Sequence, residues 1–259
     1  MRFCVICGPN EHFKDVTDIF IKRMHDLGHE TGIDPYDGSY DAIFAIGGDG
    51  TILDASIDAV SLNIPICGIN AGRVGFLAAF DEADISDLQQ GFFDKLYLSE
   101  RDVLTVTLND SDSRTIAVND FVFFKKDICK TVEINLYTDD KKLATYRCDG
   151  IIVSTATGST AYTLSAGGPV ILPNVSAAVI TPICAHTMSQ HSLVVPLETK
   201  IKVVMSDRNE EIAVIADGQG VGSIGRLEFA TVTKYSRKLK LLLSENRDVY
   251  ELLSGTTGG

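Results

Sequence analysis

Positive charge is scarce in this 259-residue chain, in which 23 Lys and Arg stand against 35 Asp and Glu for a formal net charge of −12 at pH 7. Nucleic-acid binding depends on Lys and Arg that neutralise phosphates, so this balance argues against a nucleic-acid partner. Long apolar runs are also missing, because no window reaches the ~18 residues of a membrane-spanning helix, and the N-terminal run at 3–7 is too short for a signal-peptide core. We therefore expect a cytoplasmic protein with no membrane partner.

The cysteines lack the spacing of a zinc site or of a disulfide framework. There are six, at positions 4, 7, 67, 129, 148 and 184, and no second Cys or Cys/His pair joins the single C-x-x-C at Cys4 and Cys7. Residues three positions apart on a strand point to opposite faces, so the side chains of Cys4 and Cys7 would point away from each other. We expect free thiols and no metal held by the protein alone.

Charge of either sign is missing from the 48 residues at 150–197, where the average of 22% charged residues would place about ten. Ser, Thr, Gly, Asn, Gln and Pro interrupt this stretch, which excludes a membrane span. Two interpretations stay open and are compatible: a buried sheet core with a subunit interface, or a wall of hydroxyls and backbone groups around a polar ligand.

The first third of the chain alternates strands with helices. Short apolar runs predict strands, and apolar residues three and four apart predict helices, in the order strand 3–7, helix 13–27, strand 42–46, helix 53–60 and strand 64–69. A further helix is predicted to open with the acids at 81–84 and to bury Ile85, Leu88 and Phe92. This alternation indicates parallel strands joined by right-handed crossovers.

After about residue 96 the pattern changes to short strands separated by polar turns. The strands are expected at 103–108, 122–124, 132–136, 201–205, 212–215 and 239–243. The predicted fold class is α/β: an N-terminal α/β domain with a parallel sheet at 1–95, then a mainly antiparallel β-rich domain at 96–259 with a loose tail at 254–259.

The strongest short signal is the string Gly47-Gly48-Asp49-Gly50-Thr51, placed where a strand ends and a helix begins. Glycines let the backbone approach a ligand, and a helix N-terminus offers free N–H groups to phosphate. Asp49 would then hold Mg²⁺ or accept a proton from an attacking hydroxyl. The alternative is a simple tight turn.

Two other phosphate-binding motifs are excluded by the sequence. No G-x-x-x-x-G-K-[ST] string occurs, which excludes a P-loop ATPase. A formal G-x-G-x-x-G at Gly220, Gly222 and Gly225 precedes Leu227 and Phe229 at strand spacing, so we interpret it as a glycine-rich β-turn.

Three further segments could bind a polar ligand, although each is weak alone. A hydroxyl- and glycine-rich block runs from Asp149 to Tyr162 and could bind sugar hydroxyls and stack on a base. The pair Asn119-Asp120 could hold a ribose diol or form a turn. Asp217-Gly218 is typical of a hairpin turn, and the five histidines form no metal-ligand pattern.

Taken together, these segments resemble the NAD kinase family. The resemblance rests on G-G-D-G-T at 47–51, G-x-x-G-F at 72–76, N-[DE] at 119–120 and D-G-x-x-x-S-T-x-x-G-S-T-A-Y at 149–162, in matching order over residues 1–243. The first motif is shared with diacylglycerol kinases, sphingosine kinases and phosphofructokinases. The block that ends in Tyr162 is the motif that distinguishes NAD kinases from these enzymes. Gln190-His191 stands where the family often has Arg, so no phosphate-binding role is transferred there.

The resemblance implies phosphoryl transfer from ATP, or another donor, to the 2′-hydroxyl of the adenosine ribose of NAD, with Asp49 as the catalytic carboxylate. The implied phosphate-donor turn comprises Gly47, Gly48, Gly50 and Thr51. The implied NAD-binding residues are Gly50, Phe76, Asn119, Asp120, Arg147, Asp149, Ser159, Thr160, Ala161, Tyr162 and Ser165, with Asp149 at the nicotinamide end.

Partners follow from the same reasoning. NAD and ATP are the expected substrates, and Mg²⁺ or Mn²⁺ is expected through the donor phosphates because the acidic turn has no Walker lysine. The uncharged span and the resemblance imply a homodimer or homotetramer with a partly shared site. One alternative is a diacylglycerol-type lipid kinase, which would require an apolar groove for its substrate or a basic membrane-facing patch. The other is a non-catalytic NAD sensor, which the presence of Asp49 disfavours.

Overall fold

The computed structural model describes residues 1–72, 75–186, 191–208 and 211–244. Its elements are β1 (Arg2–Cys7), α1 (Glu11–Asp26), β2 (Glu30–Gly32), β3 (Ala42–Gly47), α2 (Asp49–Leu62), β4 (Ile66–Asn70), β5 (Ala78–Asp81), 3-10 helices at Glu82–Asp87 and Phe92–Lys95, β6 (Leu96–Arg101), β7 (Leu104–Leu108), β8 (Thr115–Ala117), β9 (Asp120–Lys125), β10 (Val132–Thr138), β11 (Lys141–Cys148), β12 (Gly150–Thr155), a 3-10 helix at Thr157–Thr160, α3 (Tyr162–Ser165), β13 (Ala177–Ile183), β14 (Leu193–Pro196), β15 (Ile201–Met205), β16 (Glu211–Ala216), β17 (Gln219–Gly225), β18 (Phe229–Lys234) and β19 (Leu239–Ser244). Within these ranges no helix is long and apolar enough to cross a membrane.

The described residues divide into two compact units: Met1–Glu100 together with 239–244, and Arg101–Lys238. The division therefore differs from the expected 1–95 and 96–259 in the place of the last strand. β19 pairs in parallel with β4, and Leu239 and Leu241 are fully buried there. The expected loose tail at 254–259 falls outside the described residues.

The first unit contains a seven-stranded sheet in the order β2-β1-β3-β4-β19-β6, with β5 also paired to β4. β1, β3 and β4 run parallel, as predicted. All six residues of β3 are buried, which explains the uninterrupted apolar run at 42–46. α1 packs Val16, Phe20 and Met24 into the core, and the Asn10 side chain caps its first turn.

The helix predicted from residue 81 is replaced by two short 3-10 helices. Asp81 and Asp84 form a reciprocal capping box at the start, but Leu88 is extended (φ −61°, ψ 125°) and Gly91 has φ 79°, which ends any continuous helix. Ile85, Leu88 and Phe92 are nevertheless buried, as predicted. Burial of the apolar residues is thus achieved without a regular α-helix.

The second unit is a sandwich of two six-stranded antiparallel sheets. Their strand orders are β11-β10-β15-β18-β7-β8 and β14-β13-β12-β9-β16-β17. One core cluster joins Ile134 and Val203 of the first sheet to Phe123 and Val153 of the second. The predicted order of a parallel α/β unit and a mainly antiparallel β-rich unit is confirmed.

The G-x-G-x-x-G string opens no helix, as predicted, but it lies on a strand, so its interpretation as a glycine-rich turn was wrong. Gly220, Gly222 and Gly225 belong to β17, which pairs with β16. The turn itself is the preceding Asp217-Gly218, where both residues have positive φ (47° and 82°), as in a type I′ hairpin.

Candidate active site

The G-G-D-G-T string forms the turn between β3 and α2. Gly47 has φ 157°, and a Cβ there would lie 2.5 Å from Thr51 Oγ1. Gly48 is the extended N-cap of α2, and Asp49 is its first residue. At Gly48 and Gly50 a Cβ would meet no atom of the described chain within 4 Å. The turn therefore leaves open space at the N-terminus of a 14-residue helix, where phosphate binding stays a prediction.

The Asp49 carboxylate is held by the G-x-x-G-F segment. Asp49 accepts hydrogen bonds from the backbone N–H groups of Phe76 (2.9 Å) and Leu77 (3.3 Å). Gly75 is required beside them, because a Cβ at this position would overlap Asp49 Oδ1. Two motifs 27 residues apart are thus joined around one half-buried carboxylate. In the described ranges, no group of three or more His, Cys, Asp and Glu side chains clusters in a way that could hold a metal ion.

In the second unit, the Asn119-Asp120 pair is joined to the hydroxyl-rich block. Thr155 donates its backbone N–H to the Asn119 carbonyl (2.9 Å) and its Oγ1 hydroxyl to the Val118 carbonyl (2.7 Å). Thr155 Oγ1 in turn accepts the N–H of Gly158 (3.0 Å), where a Cβ would overlap the Asn119 carbonyl oxygen. The structure therefore brings these two predicted segments into direct contact.

Asp120 begins β9 and is only 4% exposed. Burial, and after it the charge of Asp217, raises the pKa of the Asp120 carboxyl to about 7. The Asp217 carboxylate accepts the backbone N–H groups of Val118 (2.7 Å), Asn119 (2.8 Å) and Asp120 (3.0 Å). The sequence reasoning missed this contact, since it assigned Asp217 to a hairpin turn alone.

The loop at 157–165 has an inner and an outer side. Ser159 is fully buried, and its hydroxyl donates to the Ala156 carbonyl (2.7 Å) and accepts the N–H of Ile171 (2.9 Å). Thr160 Oγ1 donates to the Thr157 carbonyl (3.1 Å). Ser159 therefore braces the loop from inside.

On the outer side of the same loop, Tyr162 is 43% exposed, Ser165 is exposed and Ala161 is half-buried. A phenol ring and a hydroxyl at the surface can stack on a base and bond to sugar hydroxyls. These three positions, and not Ser159, present accessible groups to a ligand.

Asp149 and Arg147 lie away from this cluster. Asp149 precedes β12, whereas Thr155 ends it, and six residues of strand span roughly 17–20 Å. The Asp149 carboxylate pairs with Lys125 Nζ at 2.8 Å, with side chains 23% and 11% exposed. Arg147 is exposed, with its guanidinium 3.7 Å from Glu133. Lys125, another residue that the sequence reasoning missed, is the charged residue that ends the apolar strand β9.

A glycine turn at a helix N-terminus, with a carboxylate fixed beside it, and a separate hydroxyl-rich loop are typical of an enzyme that acts on nucleotides. Family models agree with this class. The ATP-NAD kinase N-terminal domain matches residues 22–97, and the ATP-NAD kinase C-terminal domain matches residues 118–244.

Individual proteins show the same similarity. The chain is 39% identical to the NAD kinase of Christiangramia forsetii over 216 residues, which is 79% of this chain and 74% of that protein. It is 36% identical to the NAD kinase of Clostridium tetani over 218 residues, or 82% and 79% of the two chains. The chain therefore belongs to the ATP-NAD kinase family, and the prediction of an NAD kinase enzyme is confirmed.

Solved structures share the fold. The crystal structure of an NAD kinase from Archaeoglobus fulgidus in complex with ATP has a TM-score of 0.78 at 27% identity, covering 100% of this chain and 99% of that one. Yeast NADH kinase complexed with NADH has a TM-score of 0.87 at 21% identity, covering 100% and 87%. The second comparison, at this identity, bears on the fold alone.

Proposed function

We propose that this enzyme transfers a phosphoryl group from ATP, or another donor, to the 2′-hydroxyl of the adenosine ribose of NAD, and that Asp49 is its catalytic carboxylate. The observation that carries the proposal is the fixed Asp49 carboxylate at the accessible start of α2. Phosphoryl transfer asks the protein mainly to align the reactants, neutralise charge and remove a proton. The donor phosphates bind at the N-terminus of α2, at Gly47, Gly48, Gly50 and Thr51.

The proposed role of Asp49 is to accept the proton of the 2′-hydroxyl. Its two backbone hydrogen bonds fix the side-chain rotamer, so the reorganisation that a mobile carboxylate would need is avoided. A free lone pair on either oxygen remains available, since a carboxylate can accept about four hydrogen bonds. The carboxylate thus combines a fixed position with spare acceptor capacity.

The adenosine half of NAD is assigned to Asn119, Asp120 and the 160–165 loop, with Thr160, Ala161, Tyr162 and Ser165 as the contacts. Support comes from the direct joining of these segments through Thr155 and Gly158. Gly50, Phe76 and Ser159 complete the set of residues assigned to NAD binding. Ser159 contributes by bracing the loop.

Asp149 and Arg147 are assigned to the nicotinamide end, and we infer that the enzyme is a homodimer or homotetramer with a partly shared site. Asp149 lies roughly 17–20 Å along β12 from the adenosine cluster. The uncharged span at 150–197 is the observation that supports a subunit interface. The cytoplasmic location remains part of the same proposal.

A divalent ion, Mg²⁺ or Mn²⁺, is assigned to the donor phosphates. It would neutralise charge on the transferring group, and the Asp49 carboxylate fits a role beside it because carboxylate oxygens are the ligands that Mg²⁺ prefers. This role and proton acceptance are alternatives for the same carboxylate.

Product identification tests the proposed reaction. Purified protein with Mg²⁺ and ATP receives NAD, NADH or diacylglycerol in separate reactions, and the phosphorylated products are identified. We expect NADP from NAD. A phosphorylated lipid would favour the lipid kinase, and NAD binding without any product, under every donor and divalent metal, would favour a sensor.

Two matched variants test the assigned carboxylates. Asp49→Asn should lower kcat by roughly 10²–10⁴-fold with a smaller change in KM for NAD, the usual scale for loss of a general base. Asp149→Asn should act mainly through KM, because a remote contact binds the ground and transition states alike. A folded Asp49→Asn variant with wild-type turnover would show that the proton leaves by another route.

A further inference from the structure

Three tight turns of the second unit share one local feature. Asn109, Asp139 and Asp217 each occupy the first position of a two-residue turn, with φ 50°, 47° and 47°. In each case the side-chain oxygen accepts a backbone N–H from another segment: Asn109 from Phe229 (2.9 Å), Asp139 from Lys200 (3.1 Å) and Asp217 from residues 118–120. Asp217 differs because it accepts three consecutive N–H groups, and because these belong to the proposed NAD-binding pair.

The contact between Asp217 and this pair is reinforced from the backbone. Asp217 donates its own N–H to the Asp120 carbonyl (3.1 Å), directly after the last pair of the β16–β9 ladder, Ala216 and Phe121. The side chain therefore holds Val118, Asn119 and Asp120, and the main chain holds Asp120 a second time. The carboxylate bonds are charge-assisted, which makes them stronger than bonds to a neutral acceptor.

We propose that Asp217 is a positioning residue of the acceptor site that fixes the backbone of Asn119 and Asp120 through its hydrogen bonds. This inference rests on the proposed function of that pair. Asp217 itself need not touch NAD.

The groups that face Asp120 determine its charge state. β16 and its hairpin bring Asp217, whereas β12 places the uncharged Ser154 opposite Asp120. Burial first and Asp217 second raise the pKa of Asp120 to about 7. Ribose hydroxyls donate to a carboxylate, so the ionised form is the binding form. NAD binding to the wild type should therefore tighten as the pH rises through about 7.

The test is Asp217→Asn, with Asp139→Asn as the matched control. Asn tolerates positive φ, and its single oxygen retains the bonds to Asn119 and Asp120 while the charge and the bond to Val118 are lost. At a pH well above the pKa of Asp120, where its carboxyl is ionised in both proteins, we expect KM for NAD to rise on the order of tenfold with kcat nearly unchanged. The midpoint of NAD affinity against pH, measured by calorimetry, should move to lower pH because the repelling charge is gone. Asp139→Asn makes the same change in an equivalent turn and should leave both quantities as in the wild type.

Hydrogen exchange supplies a readout that does not depend on catalysis. The amide of Val118, whose bond to Asp217 is lost, should lose protection in Asp217→Asn and keep it in Asp139→Asn. If Asp217→Asn fails to fold, Asp217→Gly replaces it, because glycine adopts φ 47° without strain.

The outcomes separate this inference from the proposed function. Wild-type KM, pH midpoint and exchange in the Asp217 variant would overturn the positioning role, as would equal shifts in Asp139→Asn. If wild type and control make no NADP, the proposed function fails, while exchange at Val118 still decides whether Asp217 positions residues 118–120.

Discussion

Replacement of Asp120 by Asn should stabilise the fold by an amount that depends on pH. The carboxyl is 4% exposed and its pKa is raised from 3.8 to about 7. The folded state therefore binds this proton more tightly than the unfolded state, so the free energy of unfolding falls as the pH rises between about 4 and 7. Asn has nearly the same size and does not ionise, which removes this dependence.

The magnitude follows from the interval between the two pKa values. At pH 8 the full interval of 7 − 3.8, about three pH units, corresponds at 1.36 kcal/mol per unit to a cost of about 4 kcal/mol in the wild type. At pH 5 the interval is about one unit and the cost about 1.5 kcal/mol. The stability advantage of Asp120→Asn should grow by about 3 kcal/mol from pH 5 to pH 8.

Urea unfolding followed by circular dichroism at pH 5, 6, 7 and 8 measures this difference. Effects of the amide that do not vary with pH cancel between the pH values, so only the slope carries the argument. Asp217→Asn should reduce the slope without abolishing it, because burial is the larger cause. A stability difference between Asp120→Asn and wild type that stays constant from pH 5 to pH 8 would refute the reasoning.

Three other predictions concern catalysis and assembly. Gly75→Ala should lower kcat at least ~10-fold, because its methyl group displaces the Asp49 carboxylate from the N–H groups of Phe76 and Leu77. The control is Gly220→Ala, which should retain activity because a Cβ there meets no described atom within 4 Å. Equal losses of activity in the two variants would point to a general folding defect. Excess EDTA should abolish NADP formation and added Mg²⁺ or Mn²⁺ should restore it, whereas undiminished turnover in EDTA would contradict a metal requirement. Native mass measurement should give a dimer or tetramer of the 28.0 kDa chain, and an active monomer would contradict the shared site.

Elements whose signal is local could be predicted from the sequence. β3 and β4 are buried on both faces, which explains their nearly uninterrupted apolar runs, and α1 has one apolar face at helical spacing. The segment after Asp81 was predicted wrongly because the spacing of Ile85, Leu88 and Phe92 reports burial alone. The backbone conformations of Leu88 and Gly91, which interrupt the helix, leave no trace in that spacing.

Contacts between distant residues could not be predicted in the same way. Asp217 and Val118 are 99 positions apart, and Asp-Gly is a sufficient signal for a hairpin whether or not its carboxylate binds anything. The pairing of Lys125 with Asp149 likewise depends on the register of β9 and β12. The G-G-D-G-T turn, in contrast, was placed correctly because its glycines and helix start are adjacent in the chain.

The parallel pairing of β19 with β4 has a consequence for synthesis of the protein on the ribosome. β4 is made early, but its neighbour β19 emerges only after residues 101–238 have been translated. The nascent chain can complete both sheets of the sandwich while Ile66 and Cys67 of β4 still lack their β19 partners, although β5 already pairs with residues 68–70. Unpaired strand edges attract other chains. A stalled or truncated product that ends before Leu239 should therefore be a prominent target for chaperones, and the N-terminal sheet should be the last part of the molecule to close.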